Sequence, residues 1–408
     1  MTITRKTKYT KYAKKKSQTS QSSSSSNDEI DDANEVNDVN DVNDVNDVSV
    51  KKTKINKLRD HDRDDNNRNK RKILYSDVIN SPVSEEEMKI ISLKGKTIDD
   101  LILIGNTFKK HIFKLPDELG LTMKKYESLV KISSINKELV NINNMIGLKD
   151  AKEAFVGQLI YLLSEYKKYD DFMNIIISGP PGHGKTEFAK MIGQAFFKSG
   201  ILKNQVFISA DRTNLVAKYL GQTAHSTKEL FNKAKGGILF IDEVYSLGSV
   251  NGEDSFSKEA LDTLNHLLGE NKDTMCIIAG YTEDIKNCIF SVNKGLESRF
   301  PWRFEIKQYS PNELLNIFLN KLKLNNLHLK DTSIINDDFF NKNKEYFNNA
   351  GRDIGNFCVQ CVIQHSKDMF FELLSTINND TIKTSFNKYK TSKDIFTKND
   401  KPPDSMYI

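Results

Sequence analysis

Residues 179–186 read GPPGHGKT, the spacing G-x-x-x-x-G-K-[ST]. Side chains of these types in this order can hold a chain of phosphates. Gly179, Gly182 and Gly184 let the backbone approach oxygen atoms and take positive φ, which a Cβ would penalise. Lys185 would set one cation on the β- and γ-phosphates, and the Thr186 hydroxyl would complete a Mg²⁺ shell. Pro180, Pro181, His183 and Glu187 make up the rest of the nucleotide-contacting stretch. Further along, residues 238–243 read ILFIDE, an apolar run that ends in two carboxylates. Asp242 would hold Mg²⁺ directly or through water, and Glu243 would orient and polarise an attacking water. Together the two stretches describe an ATP and Mg²⁺ site built for hydrolysis.

Such a site needs particular elements beneath it. Residues 173–178 suit a strand entering the glycine-rich turn, and residues 187–197 carry helical apolar spacing through Phe188, Met191, Ile192 and Ala195. The run at 238–241 suits a strand buried on both faces. Further strands are expected at 206–209, 275–279 and 304–306, with a helix over 148–166. Strands alternating with helices predict an α/β fold: a mostly parallel sheet flanked by helices, its ligand at the strand C-terminal ends. After Pro311 the strand signals stop, and residues 312–324 and 354–374 read as helices of a smaller helical subdomain.

The 408-residue chain is 28% charged and 38% hydrophobic, with a mean hydropathy of -0.53, so part of it is expected to remain unpacked. Residues 1–72 fit that expectation. They run from a basic opening through a Gln/Ser tract to the repeat NEVNDVNDVNDVNDV, whose period of three suits neither helix nor strand burial, and they read as a disordered low-complexity tail. Its basic cluster of Arg68, Lys70, Arg71 and Lys72 could contact RNA or serve as a nuclear address, but a solvated tail is favoured. Residues 73–134 form a helical accessory segment, 135–308 the large nucleotide-binding subdomain, 309–390 the helical subdomain and 391–408 a polar C-terminal tail. Net charge is only +5, and no run near eighteen apolar residues or basic-apolar leader is present. The expected setting is intracellular, soluble and away from membranes, the cytoplasm before the nucleus. Cys358 and Cys361 form a lone C-x-x-C inside a helical pattern, where buried helix residues are favoured over redox or metal chemistry.

Several stretches resemble one family. GPPGHGKT, KYLGQTAHSTKELFNKAKGGILFIDEVYSL, SKEALDTLNHLLGENKDTMCIIAGY and GLESRF resemble the AAA+ ATPases grouped with stage V sporulation protein K and the red-type Rubisco activase. The likeness runs over residues 144–366 and leaves out the tail and accessory segment. It implies an AAA+ P-loop fold with a small helical lid, an oligomeric ring of identical subunits, usually a hexamer, and nucleotide at the subunit interfaces. It also implies a central pore that threads or remodels polypeptide clients. Tyr219, Leu220 and Gly221 match the pore loop. Arg299 matches the position that reaches the neighbouring subunit's γ-phosphate, with Arg303 as a competing candidate. Thr282 is the best polar candidate for the sensor after the fourth strand, although the register could shift by one. Arg352, in AGRDIGNF, matches the nucleotide-sensing arginine of the lid, while Gly355 stands where many relatives carry a second arginine. The long tail and accessory segment, absent from compact activases, point away from a Rubisco client and leave the client open. An alternative expectation is an ATP-switched assembly or binding module with little turnover.

Overall fold

The computed structural model describes residues 82–219, 221–248, 254–369 and 375–398. The expected tail over 1–72 lies outside the described residues, as do residues 399–408 of the C-terminal tail.

The first helices, α1 (Glu85–Ile91), α2 (Ile98–Lys109), α3 (Met123–Ser134) and α4 (Asn136–Asn143), precede the sheet. Local chemistry starts two of them. Ser84 with Glu87, and Thr97 with Asp100, form reciprocal capping boxes that satisfy first-turn N–H groups. Helix α2 buries residues in two directions. Ile104 and Phe108 join a small cluster with Ile91, Leu119, Leu121 and Leu129, while Ile98 and Leu101 enter the main core. The accessory segment is thereby docked on the nucleotide-binding subdomain. Asn143 Nδ2 donates to Asp99 Oδ1 at 2.7 Å and Ser128 Oγ to the Leu163 carbonyl at 3.0 Å.

Next come α5 (Lys149–Leu163), β1 (Ile175–Ser178), α6 (Lys185–Lys198), β2 (Phe207–Ala210), α7 (Arg212–Leu215) and α8 (Thr223–Lys233). They are followed by β3 (Ile238–Ile241), α9 (Ser255–Glu270), β4 (Met275–Gly280) and β5 (Trp302–Glu305). The five strands form one parallel sheet in the order β2-β3-β4-β1-β5, with Ile175 opposite both Ile277 and Trp302 and Ile238 opposite both Phe207 and Met275. Side chains alternate across a strand, so each apolar run feeds two cores. Ile175, Ile177, Ile238, Phe240, Met275 and Ile277 pack under α5 and α6, while Ile176, Leu239, Ile241, Cys276 and Ile278 pack with α9 on the opposite face. A strand covered on both sides has no polar alternation, which is why these runs read as continuous.

Beyond the sheet lie α10 (Pro311–Leu324), β6 (His328–Leu329), α11 (Asp337–Lys342), α12 (Ala350–Asp368), β7 (Thr376–Ile377) and α13 (Asn379–Lys398). Pro311 in the first turn and the Ser310–Glu313 capping box begin α10 abruptly. This part has its own core of Phe318, Phe340, Phe347, Phe357, Phe386 and Tyr389, with Phe318 and Phe357 stacked at 5.0 Å. Cys358 and Cys361 are buried in it, unbridged. Helix α13 continues past residue 390 because Lys393 ties it back, its Nζ lying 2.7 Å from Asp353 Oδ2 and 2.6 Å from the Tyr346 carbonyl. Among the described residues no helix is long and apolar enough to cross a membrane.

Candidate active site

The glycine-rich loop leaves β1 at Ser178 and becomes α6 at Lys185. Gly182 and Gly184 take φ of +69° and +86°, where a side chain would be strained. Space is also short. A Cβ on Gly182 would stand 2.1 Å from the Asn349 carbonyl oxygen, and one on Gly179 2.4 Å from that of Ile306. The Lys185 ammonium donates to the Gly179 and Pro180 carbonyls at 2.8 and 2.9 Å and lies 5.1 Å from the Tyr281 ring centre. Burial holds its pKa below the usual lysine value, and Asp242 and Glu243 offset only part of that.

The acidic pair stands where β3 ends. Thr186 Oγ1 donates to Asp242 Oδ2 at 2.7 Å, joining the two halves of the site, and the Glu243 N–H donates to Asp242 Oδ1 at 3.0 Å. Glu243 itself has φ +46°, a left-handed conformation uncommon for a residue with a side chain. The resulting cavity, about 350 Å³, is lined by Pro181, Gly182, Gly184, Lys185, Thr186, Glu187, Asp242, Glu243, Tyr245, Gly280, Tyr281 and Arg352. Oxygen donors and cations converging on a glycine cradle suit a polyphosphate with a divalent ion.

Tyr245 in that wall is marked by no motif, and Tyr281 stands one step before Thr282, within the shift left open for the sensor. Tyr245 and Tyr281 stack at 5.1 Å, and burial next to Glu243 pushes the Tyr245 phenol up to about 12, so it remains protonated. Tyr281 directly follows β4 and is the residue that reaches the cavity. Thr282 instead lines a neighbouring depression with Gly179, Pro180 and Glu305.

The helical part closes the site from one side. Gly351 N–H donates to the Gly182 carbonyl at 3.0 Å, which fixes α12 on the loop and brings Arg352 to the cavity. His183 turns away from the phosphate side. It is only 2% exposed, its Nδ1 is 2.7 Å from the Pro181 carbonyl, and its ring stacks on Tyr309 at 5.1 Å. Tyr309 Oη donates to the His183 carbonyl at 3.1 Å, so the segment joining sheet to helices is bonded to the loop. A second cavity of about 330 Å³ opens there, with His183, Tyr309, Leu314 and Ala350 in its wall. Lys321 of α10 brings its Nζ within 3.5 Å of where a Cβ on Gly355 would stand, so a cation lies beside that position.

The remaining candidates stand apart from this cavity. Arg299 follows a short turn at Lys294–Glu297 and is half-buried, its guanidinium donating to the carbonyls of Asn265 at 3.0 Å and Gly295 at 2.6 Å. Arg303, on β5, pairs with Glu297 at 2.7 Å. Tyr219 is 69% exposed between α7 and α8, and Gly221 beside it has φ +79°. Leu220 lies outside the described residues.

A parallel five-stranded sheet, a phosphate loop feeding α6 and an acidic pair at the end of β3 define a nucleotide hydrolase with a helical lid. Residues 175–308 match the model of the ATPase family associated with various cellular activities (AAA). The chain is 32% identical over 323 residues to a cfxQ-like protein of Acanthamoeba polyphaga mimivirus, covering 76% of this chain and 77% of that one. It is 34% identical over 194 residues to stage V sporulation protein K of Bacillus subtilis, covering 46% and 59%. It is also 30% identical over 237 residues to protein CbbX of Cereibacter sphaeroides, covering 55% and 76%. The chain belongs to the AAA family of ATPases.

Proposed function

We propose that this ATPase uses Mg²⁺-dependent ATP hydrolysis to remodel or thread protein clients through a ring of its own copies, most simply a hexamer. The observation that carries the hydrolytic half is the Thr186–Asp242 hydrogen bond of 2.7 Å, which sets Lys185, Glu243 and the glycine cradle around one cavity. Thr186 Oγ1 and Asp242 Oδ2 are hard oxygen donors side by side and fit Mg²⁺; they would hold it. Once bound, the ion supplies positive charge to the β- and γ-phosphate oxygens.

The chain's own groups then have separate tasks. Loop N–H groups and Lys185 hold the phosphates, and Arg352 carries the lid's response to them. Glu243 holds a water on the terminal phosphorus and accepts its proton as the new O–P bond forms and the bond to the ADP oxygen breaks. Arg299 acts from the neighbouring copy on the charge that develops on the transferring group, and Tyr219 presses an aromatic ring against an extended client. Support for the shared site is the position of Arg299, remote from its own chain's cavity, and support for a gripping loop is the exposure of Tyr219.

Steady-state ATP turnover over a protein concentration series tests this reading. Specific activity is expected to rise with concentration and to fall about a thousandfold in Arg299→Ala. A rate independent of concentration, with the Arg299 variant equal to wild type, would rule out sites shared between copies.

A further inference from the structure

Arg299 has a cationic neighbour that no motif marks. Lys272, in the turn between α9 and β4, places its Nζ 3.1 Å from the centre of the Phe172 ring, and the Arg299 Cζ lies 6.0 Å from the same centre. One aromatic ring is therefore in contact with two cations. Like charges repel, and burial together with Arg299 lowers the Lys272 pKa, with only Asp170 opposing from a distance. Among the described residues neither cation has a carboxylate ion partner. Arg299 is bonded to carbonyls and to Ser298 Oγ, and Glu297, the acidic residue nearest it in sequence, is taken by Arg303. A pair of cations kept together against their repulsion is organised for an anion from outside.

The surroundings hold the pair in place. Asn174, buried just ahead of β1, donates from Nδ2 to the Arg299 carbonyl at 2.8 Å and accepts from the Cys276 N–H at 2.8 Å. Trp302 Nε1 donates to the Phe172 carbonyl at 3.2 Å, and Tyr161 packs on Trp302 at 5.5 Å. These anchors lie where β1, β4 and β5 begin, whereas the phosphate loop comes after the end of β1. From Asn174 to Gly179 is about 16 Å of extended chain. The cluster thus opens on the edge of the sheet opposite this chain's own nucleotide site.

We propose that Lys272 is a second trans-acting cation, which with Arg299 meets the terminal phosphate of a nucleotide bound by a neighbouring copy of this chain. Phe172 is the positioning residue for both, because each cation lies against its ring. This rests on the reading that copies share sites. A second charge stabilises the transferring phosphoryl group more than the bound substrate, so its loss should lower kcat and leave KM nearly unchanged.

The test uses full-length protein with ATP. Lys272→Met keeps the apolar stem over Phe172 and removes the charge; kcat should fall by about tenfold or more with KM within about twofold. Lys272→Arg should restore most of the rate. Mixing Lys272→Met with Glu243→Gln should give more activity than the two measured separately, since each supplies what the other lacks at a mixed interface. Wild-type kcat in Lys272→Met, or a loss that mixing with Glu243→Gln does not relieve, would overturn the assignment. Arg299→Ala mixed with Glu243→Gln is run beside it. If that pair complements and the Lys272 pair does not, only Lys272 is wrongly placed, whereas failure of both pairs removes the shared-site reading itself.

Discussion

Glu243 has a backbone conformation that costs about 1 kcal/mol or more in a residue with a side chain, and it keeps it at φ +46°. Its own N–H donates to Asp242, and Tyr245 of the stacked tyrosine pair lies next to it in the cavity wall. Substitution therefore separates binding from chemistry. Glu243→Gln should retain ATP affinity measured by fluorescence titration while turnover falls on the order of a hundredfold or more. Lys185→Ala removes the charged donor that the phosphates would meet. Its ATP affinity should drop roughly tenfold to a hundredfold in the same titration, the value of a charge-assisted hydrogen bond.

At the scale of elements, the loop and α12 are packed so closely that glycine is required between them. Gly182→Ala would force a Cβ against the Asn349 carbonyl in addition to left-handed strain. Gly120 offers the control, with φ +59° and no atom within 4 Å of an added Cβ. Thermal unfolding should show a loss of about 1–2 kcal/mol for Gly120→Ala with ATP binding kept, and a larger loss with weakened binding for Gly182→Ala. The start of α1 has its own pH dependence. Lys110 and the Ser84 N–H hold the Glu87 carboxyl at about 2 rather than 4.5. A depressed carboxyl stabilises the folded form above the higher value, so this contribution is complete above pH 4.5 and is lost as pH falls towards 2. Hydrogen exchange over α1 should quicken through that window, and Glu87→Gln should abolish the pH dependence.

For the whole molecule the proposal is a ring whose copies share nucleotide sites, so bound ATP should favour the assembled form. With ATP, Glu243→Gln should accumulate as a ring-sized species in light scattering, because bound ATP is not consumed. Lys185→Ala should stay at the mass of the nucleotide-free protein at the same concentration. The joint between sheet and helices bears on this response. Tyr309 is bonded to the loop through the His183 carbonyl and is buried enough for its phenol to rise to about 12, so it remains a donor throughout the working pH range. This bond ties the segment that leads into the helical part directly to the phosphate loop.

Much of this was written in the chain order. The spacing of Gly179, Gly182, Gly184, Lys185 and Thr186 places them on one turn, and apolar runs ending in Asp242 and Glu243 carry both groups to the same edge of a parallel sheet. Local geometry settles such features because strand, turn and helix start within a few residues of each other. The near-continuous apolar runs also foretold burial on both faces. Contacts between distant segments needed the tertiary structure. Tyr281, and not Thr282, reaches the cavity because the chain turns immediately after Gly280, and a one-residue step changes which side chain faces the site. The sharing of Phe172 by Lys272 and Arg299, and the Asn174 bridge between β4 and the Arg299 backbone, join residues 27 to 127 positions apart. No periodicity in a sequence records such neighbours, since they are set by strand order and register.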